Sequence, residues 1–119
     1  FLPAFDAVGT LVHLLALLAA GGQRMAKLSG DLPPVHIAHE EVVTPWEQKG
    51  TVMRRTLERA KDRTTVLVDG VKIVDADGWS LVVPDPEEPV THVWAEAPNE
   101  AEARARVQEQ AVRIRQMLP

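Results

Sequence analysis

Two Asp-Gly pairs, Asp69-Gly70 and Asp77-Gly78, limit what this chain can fold into more than any other feature. Glycine reaches positive φ without steric cost and aspartate tolerates it, so such pairs mark tight reversals between strands. The segments around them are short and rich in β-branched and aromatic residues: 64–75, broken at Asp69 and Gly70, then 79–84, then 90–97. That pattern predicts a meander of antiparallel strands.

Upstream, residues 35–43 (VHIAHEEVV) alternate in part and form a fourth expected strand. Thr44 and Pro45 then open a helix expected over 45–60, with Thr44 as cap and Glu47 placed to complete a capping box. Trp46, Met53, Leu57 and Ala60, with the small Gly50 between them, supply its expected core stripe. After the last strand Asn99 caps another helix, with Glu102 three residues on and Ala103, Val107, Ala111, Ile114 and Leu118 on one face. Glu100 with Arg104, Glu102 with Arg106 and Glu109 with Arg113 form i,i+4 pairs on its outer face, each adding roughly 0.2 to 0.5 kcal/mol. The expectation is an α+β domain: a four-stranded, mainly antiparallel sheet covered on one face by two helices.

A different segment precedes this domain. Asp6 caps a helix expected over 6–20 that Gly21 and Gly22 stop, and a short helical turn follows near 24–28. Turn-forming residues then crowd the stretch SGDLPP. The expected division is 1–30 for a helix of a preceding domain, 31–34 for a linker and 35–119 for the α+β domain. The chain starts at Phe1, inside sequence that already looks structured, so a piece of a longer protein is expected. The apolar run LVHLLALLAA is too short to span a bilayer and lacks the basic flank of a signal peptide, which predicts a buried or interface helix.

With 13 basic against 17 acidic side chains the net charge is -4, which argues against general nucleic-acid binding. The absence of cysteine excludes disulfides and thiolate metal sites. The composition fits a cytoplasmic protein with no membrane partner. His36 and His39 stand three apart, an odd spacing that points two strand side chains to opposite faces and predicts surface residues, not metal ligands. Asp75, Asp77 and Gly78 resemble the start of a calcium loop, but no twelfth-position glutamate follows and the turn explains them. No nucleophile elbow, Walker loop or dinucleotide fingerprint is present, so neither a catalytic residue nor a metal is expected in these residues. Lys49, Arg54, Arg55 and Arg59, followed by Lys61 and Arg63, form a basic cluster suited to an anion or an acidic partner surface.

Residues 69–105 resemble the TBP-like C-terminal domain of the phosphohexomutases, the phosphoglucomutases and phosphomannomutases. Asp69, Gly70, Lys72, Gly78, Trp79, Pro84, Glu88, Pro89 and Glu96 match that family's pattern without gaps. The stretch FDAVGTLVHLLALLA looks like the helix closing its preceding sugar-binding domain. In the family an Arg-Pro-Ser-Gly-Thr-Glu-Pro loop binds the substrate's phosphate through hydroxyls, amides and a guanidinium. Here Val83 stands at the arginine position, Asp85 at the serine, Pro86 at the glycine and Glu87 at the threonine, while His92 holds a later basic position. Pro86 has no amide, and Asp85 or Glu87 would repel a phosphate about 5 Å away by roughly 3 kcal/mol at an effective dielectric near 20.

The segments FLPAFDA, PWEQKGTVMR and DGWSLVVPDPEEP look more like the mutase-like tail of mannose-1-phosphate guanylyltransferase-type enzymes. These resemblances imply a parent in sugar-nucleotide supply, whose earlier domains would hold the family's serine nucleophile and magnesium-binding aspartates. Two expectations follow. In the favoured one the domain is noncatalytic, packs against its parent's preceding domains and carries a degenerate loop of Val83, Pro84, Asp85, Pro86, Glu87, Glu88, Pro89 and His92. In the other it is the working phosphosugar-binding lid of a phosphomannomutase or phosphoglucomutase.

Overall fold

The computed structural model describes residues 6–119. The chain divides into two units, Phe1–Pro34 and Val35–Pro119. The resemblance assigned to the FLPAF segment lies outside the described residues.

In the first unit α1 spans Ala7–Gly21 and α2 spans Met25–Gly30. The Asp6 carboxylate accepts the Gly9 amide at 2.7 Å, satisfying one of the donors that a helix start leaves unpaired. Gly22 ends α1 in the left-handed region at φ 60°. No residue of α1 is buried, which leaves the interface half of the expectation of a buried or interface helix. Among the described residues no helix is long and apolar enough to cross a membrane.

The second unit contains β1 (His36–Val43), α3 (Trp46–Arg59), β2 (Thr64–Val66), β3 (Val71–Asp75), β4 (Gly78–Pro84), β5 (Val90–Ala97) and α4 (Glu100–Arg115). Its sheet has five antiparallel strands in the order β1-β5-β4-β3-β2, one more than expected. The extra strand comes from residues 64–75, read from the sequence as one broken strand. Asp69 sits at φ 57° and turns the chain back on itself, so that Thr64 pairs with Val74 and Val66 with Lys72.

Alternation sorts the side chains onto two faces. Val42, Val71, Ile73, Val82, Val93 and Ala95 are buried on the face beneath α3 and α4, where Val52, Val107, Ala111 and Ile114 meet them. The predicted α4 stripe packs as expected, with Ala103, Val107, Ala111 and Ile114 buried and Leu118 partly so. The predicted α3 stripe holds in part: Met53 packs against the core and Ala60 is buried. Trp46 and Leu57 are exposed, and the buried positions are Lys49, Val52 and Thr56, followed by Ala60 just beyond the helix. Local spacing allowed either stripe, and the β-branched Val52 won the place over the sheet. Nor does Thr44 cap α3. Its hydroxyl donates to the Val42 carbonyl at 2.9 Å and its amide to Pro89, leaving Pro45 at the helix start without a side-chain cap.

Asn99 does cap α4, accepting the Glu102 amide at 2.9 Å and donating to the Glu102 carboxylate at 2.7 Å. Two of the expected α4 ion pairs form, Glu100 with Arg104 and Glu109 with Arg113. Arg106 instead reaches across to Asp77 at 2.6 Å and to the Glu96 carbonyl at 3.2 Å, fastening α4 to the β3-β4 turn. That hydrogen bond from Arg106 holds the Asp77 carboxyl below its ordinary range.

Candidate functional site

The β4-β5 loop, residues 85–89, has three backbone N–H groups, because Pro86 and Pro89 have none. The Asp85 amide donates to the Val90 carbonyl at 3.1 Å. The amides of Glu87 and Glu88 both donate to Asp85 Oδ1, at 2.7 and 2.6 Å. Every amide of the loop therefore has an internal acceptor. A nest of amides is an anion site. Here the anion is the chain's own carboxylate.

The second oxygen of Asp85 accepts from His92 Nε2 at 2.9 Å. Hydrogen bonding from His92, then from the two amides, lowers the Asp85 pKa from 3.8 to about 2. A depressed carboxyl stabilises the folded loop above pH 3.8 and ceases to do so as pH falls through about 2. A carboxyl-carbon NMR titration should accordingly give Asp85 a midpoint near 2, and His92→Gln should move it back toward 3.8. A wild-type midpoint at the ordinary value would show that the His92 contact is not made in solution.

Lys49 anchors the loop from below. Its ammonium donates to the carbonyls of Asp85 and Glu88 and lies 3.6 Å from the centre of the Trp46 ring. Buried and so engaged, it is set apart from the other basic residues of α3. Arg54 approaches Glu58 at 4.0 Å, and Arg55 donates to the Met117 carbonyl at 3.0 Å. Arg59 lines a small hollow beside Arg63 and Arg113. The sequence grouped these cations, but the fold separates Lys49 from the rest.

The remaining residues expected at the loop lie along its frame. Val83 pairs with His92 and Pro84 with Thr91 across β4 and β5. On the outer face of the sheet, away from α3 and α4, His92 meets two β1 side chains. His39 Nε2 lies 3.0 Å from His92 Nδ1, and Glu41 Oε1 lies 3.7 Å from the same nitrogen. His39 also stacks on Trp94, with ring centres 3.9 Å apart. The odd spacing of His36 and His39 does place them on opposite faces, as the burial alternation of β1 shows. What the sequence could not supply was the register that sets Glu41 opposite His92 and His39 opposite Trp94. A surface groove between β1 and α4 lies elsewhere, and of the three side chains His39, Glu41 and His92 it includes His39.

Lys72, Trp79 and Glu96, all matched to the mutase pattern, also gather on this outer face. Trp79 pairs with Glu96 in register, its indole N–H donates to the Glu96 carboxylate, and the Lys72 ammonium lies 4.1 Å from its ring centre. Most matched residues form the frame, while the unmatched Asp85, Pro86 and Glu87 fill the first part of the loop, ahead of the matched Glu88 and Pro89.

The chain is similar to phosphohexomutases. It is 33% identical over 93 residues to a probable phosphoglucosamine mutase of Methanopyrus kandleri, covering 76% of this chain and 21% of that protein. It is 27% identical over 100 residues to a phosphoglucomutase/phosphomannomutase of Thermococcus kodakarensis, covering 83% and 22%. A phosphopentomutase of the same organism is 30% identical over 107 residues, covering 84% and 24%. The chain thus spans about a fifth to a quarter of the length of the curated relatives it matches. No protein-family profile matches it. These similarities support a phosphohexomutase-family domain, and the α+β architecture is compatible with the C-terminal one. None of the three relatives carries a guanylyltransferase name.

Proposed function

We propose that this phosphoglucomutase/phosphomannomutase-like domain keeps the family's frame but closes its loop to phosphate, and that it serves a larger sugar-phosphate protein as a noncatalytic domain. One observation carries the reading: the three loop amides are all spent internally, two of them on Asp85. A phosphate entering the loop would have to displace a carboxylate already holding those donors, and would meet the negative charge of Glu87 and Glu88 as it did so. The partners in this reading are the preceding domains of the same parent, in a cytoplasmic setting. Its finer form, a parent of the mannose-1-phosphate guanylyltransferase type that uses magnesium in its earlier domains, draws only on the resemblance of segments such as PWEQKGTVMR.

The test is an amide-resolved NMR titration of the chain with mannose 1-phosphate, glucose 1-phosphate and the 6-phosphates at low salt. In the wild type the amides of 85–92 should stay still at millimolar ligand. In Asp85→Ser, which releases two amides and restores a hydroxyl, the same signals should shift saturably. Saturable shifts in the wild type would overturn the reading in favour of a working phosphosugar lid.

A further inference from the structure

The outer-face cluster has a chemistry that the closed loop does not use. Ligand atoms of His39, Glu41 and His92 lie within 4.8 Å of one another, with 3.0 Å between His39 Nε2 and His92 Nδ1 and 3.7 Å from His92 Nδ1 to Glu41 Oε1. Tetrahedral zinc, with bonds of about 2.0 to 2.2 Å to such atoms, sets its ligand atoms roughly 3.4 Å apart. The observed separations bracket that value.

Proton bookkeeping points the same way. The Asp85 carboxylate is acceptor-only, so the His92 nitrogen facing it, Nε2, carries a proton. In neutral His92 the lone pair then sits on Nδ1, which faces His39 Nε2 and the Glu41 carboxylate. Glu41 Oε1 lies beyond hydrogen-bonding distance of His92 Nδ1, and its exposed carboxylate is open to water or to a cation. A cation among the three would satisfy all of them. Metal-bound histidines characteristically donate their second N–H to a carboxylate, which fixes the tautomer, and Asp85 already holds that place. The stacking of Trp94 on His39 orients the other ring.

We propose that His39, Glu41 and His92 form a divalent-cation site of the zinc type, positioned from behind by Asp85, with a fourth coordination position open to water. Two histidines and one carboxylate suit zinc better than magnesium or calcium, which favour all-oxygen sets. The site stands independently of whether the loop binds phosphate. Its ligands come from β1 and β5, so it clamps an edge strand of the sheet to its neighbour.

Calorimetric titration of zinc chloride into the 119-residue chain, paired with NMR of the histidine ring nitrogens, tests the proposal. One equivalent should bind, moving His39 Nε2 and His92 Nδ1 but not His36. His39→Gln and His92→Gln should each weaken binding at least about tenfold, and Asp85→Asn by roughly 10- to 100-fold. His36→Gln, on the opposite face, should leave affinity unchanged. These outer-face side chains lie outside the core, and circular dichroism on each variant separates lost binding from lost folding. No binding at millimolar zinc, or equal binding by wild type and folded His39→Gln and His92→Gln variants, would overturn it.

Discussion

Gly78→Ala is expected to destabilise the unit Val35–Pro119 by about 3 kcal/mol or more, read as a lowered urea midpoint. Gly78 opens β4 at φ 154°, a region that side chains rarely adopt and that costs roughly 1 to 3 kcal/mol for a residue with a Cβ. The added carbon would also stand 2.2 Å from the Glu96 carbonyl oxygen and 2.5 Å from Arg106 Nη1. That carbonyl accepts from Arg106, and the neighbouring Trp79 pairs with Glu96 in register. One methyl therefore presses on the β4-β5 pairing and on the arginine that ties α4 to the turn. In a unit of this size the loss corresponds to a fall in Tm of at least about 12 °C. An unchanged midpoint would mean that the β4-β5 approach is looser than described.

Ile114→Ala should cost about 3 kcal/mol, within the roughly 2 to 5 kcal/mol that such truncations span. Ile114 is 1% exposed and is the largest fully buried side chain among the described residues, set between α4 and the sheet. The rigid surroundings, Val52, Val93 and Val107, leave little scope for collapse into the gap. Leu57→Ala gives the contrast. From helical spacing Leu57 belongs to the core stripe of α3, yet it is 39% exposed, and its truncation should cost under about 1 kcal/mol. Urea unfolding of the two variants side by side checks both values. Equal losses would return Leu57 to the core and undo the assignment of the α3 face.

Where a residue's role is settled by its own backbone and near neighbours, the sequence was sufficient. Asp6 and Asn99 cap helices because a short polar side chain reaches amides within three residues. Asp69 takes the positive φ that a reversal needs, and Ala103, Val107, Ala111 and Ile114 share a face by helical geometry alone. The acidic, proline-containing character of the loop was legible too, since Pro86 lacks an amide whatever the fold. The mutase pattern was legible for the same reason, because its positions lie close together in the chain.

Other roles depended on what the sheet brought alongside. Arg106 left its helical partner Glu102 for Asp77, because a long side chain takes whichever acceptor the fold presents with the better geometry. Lys49 looked like part of a solvated basic face until the loop's carbonyls stood above it. That Asp85 fills its own amide nest follows from the loop closing between Asp85 and Val90. His39 and His92 are 53 residues apart in sequence and meet only because β1 pairs with β5 in one register. A one-residue slip of β1 against β5 would turn His39 to the other face, away from His92. Sequence by itself determined most of the elements, the Asp6 and Asn99 caps and the missing amide at Pro86. The tertiary structure decided which side chains share protons and charge, because strand register and helix rotation are set by packing the whole core.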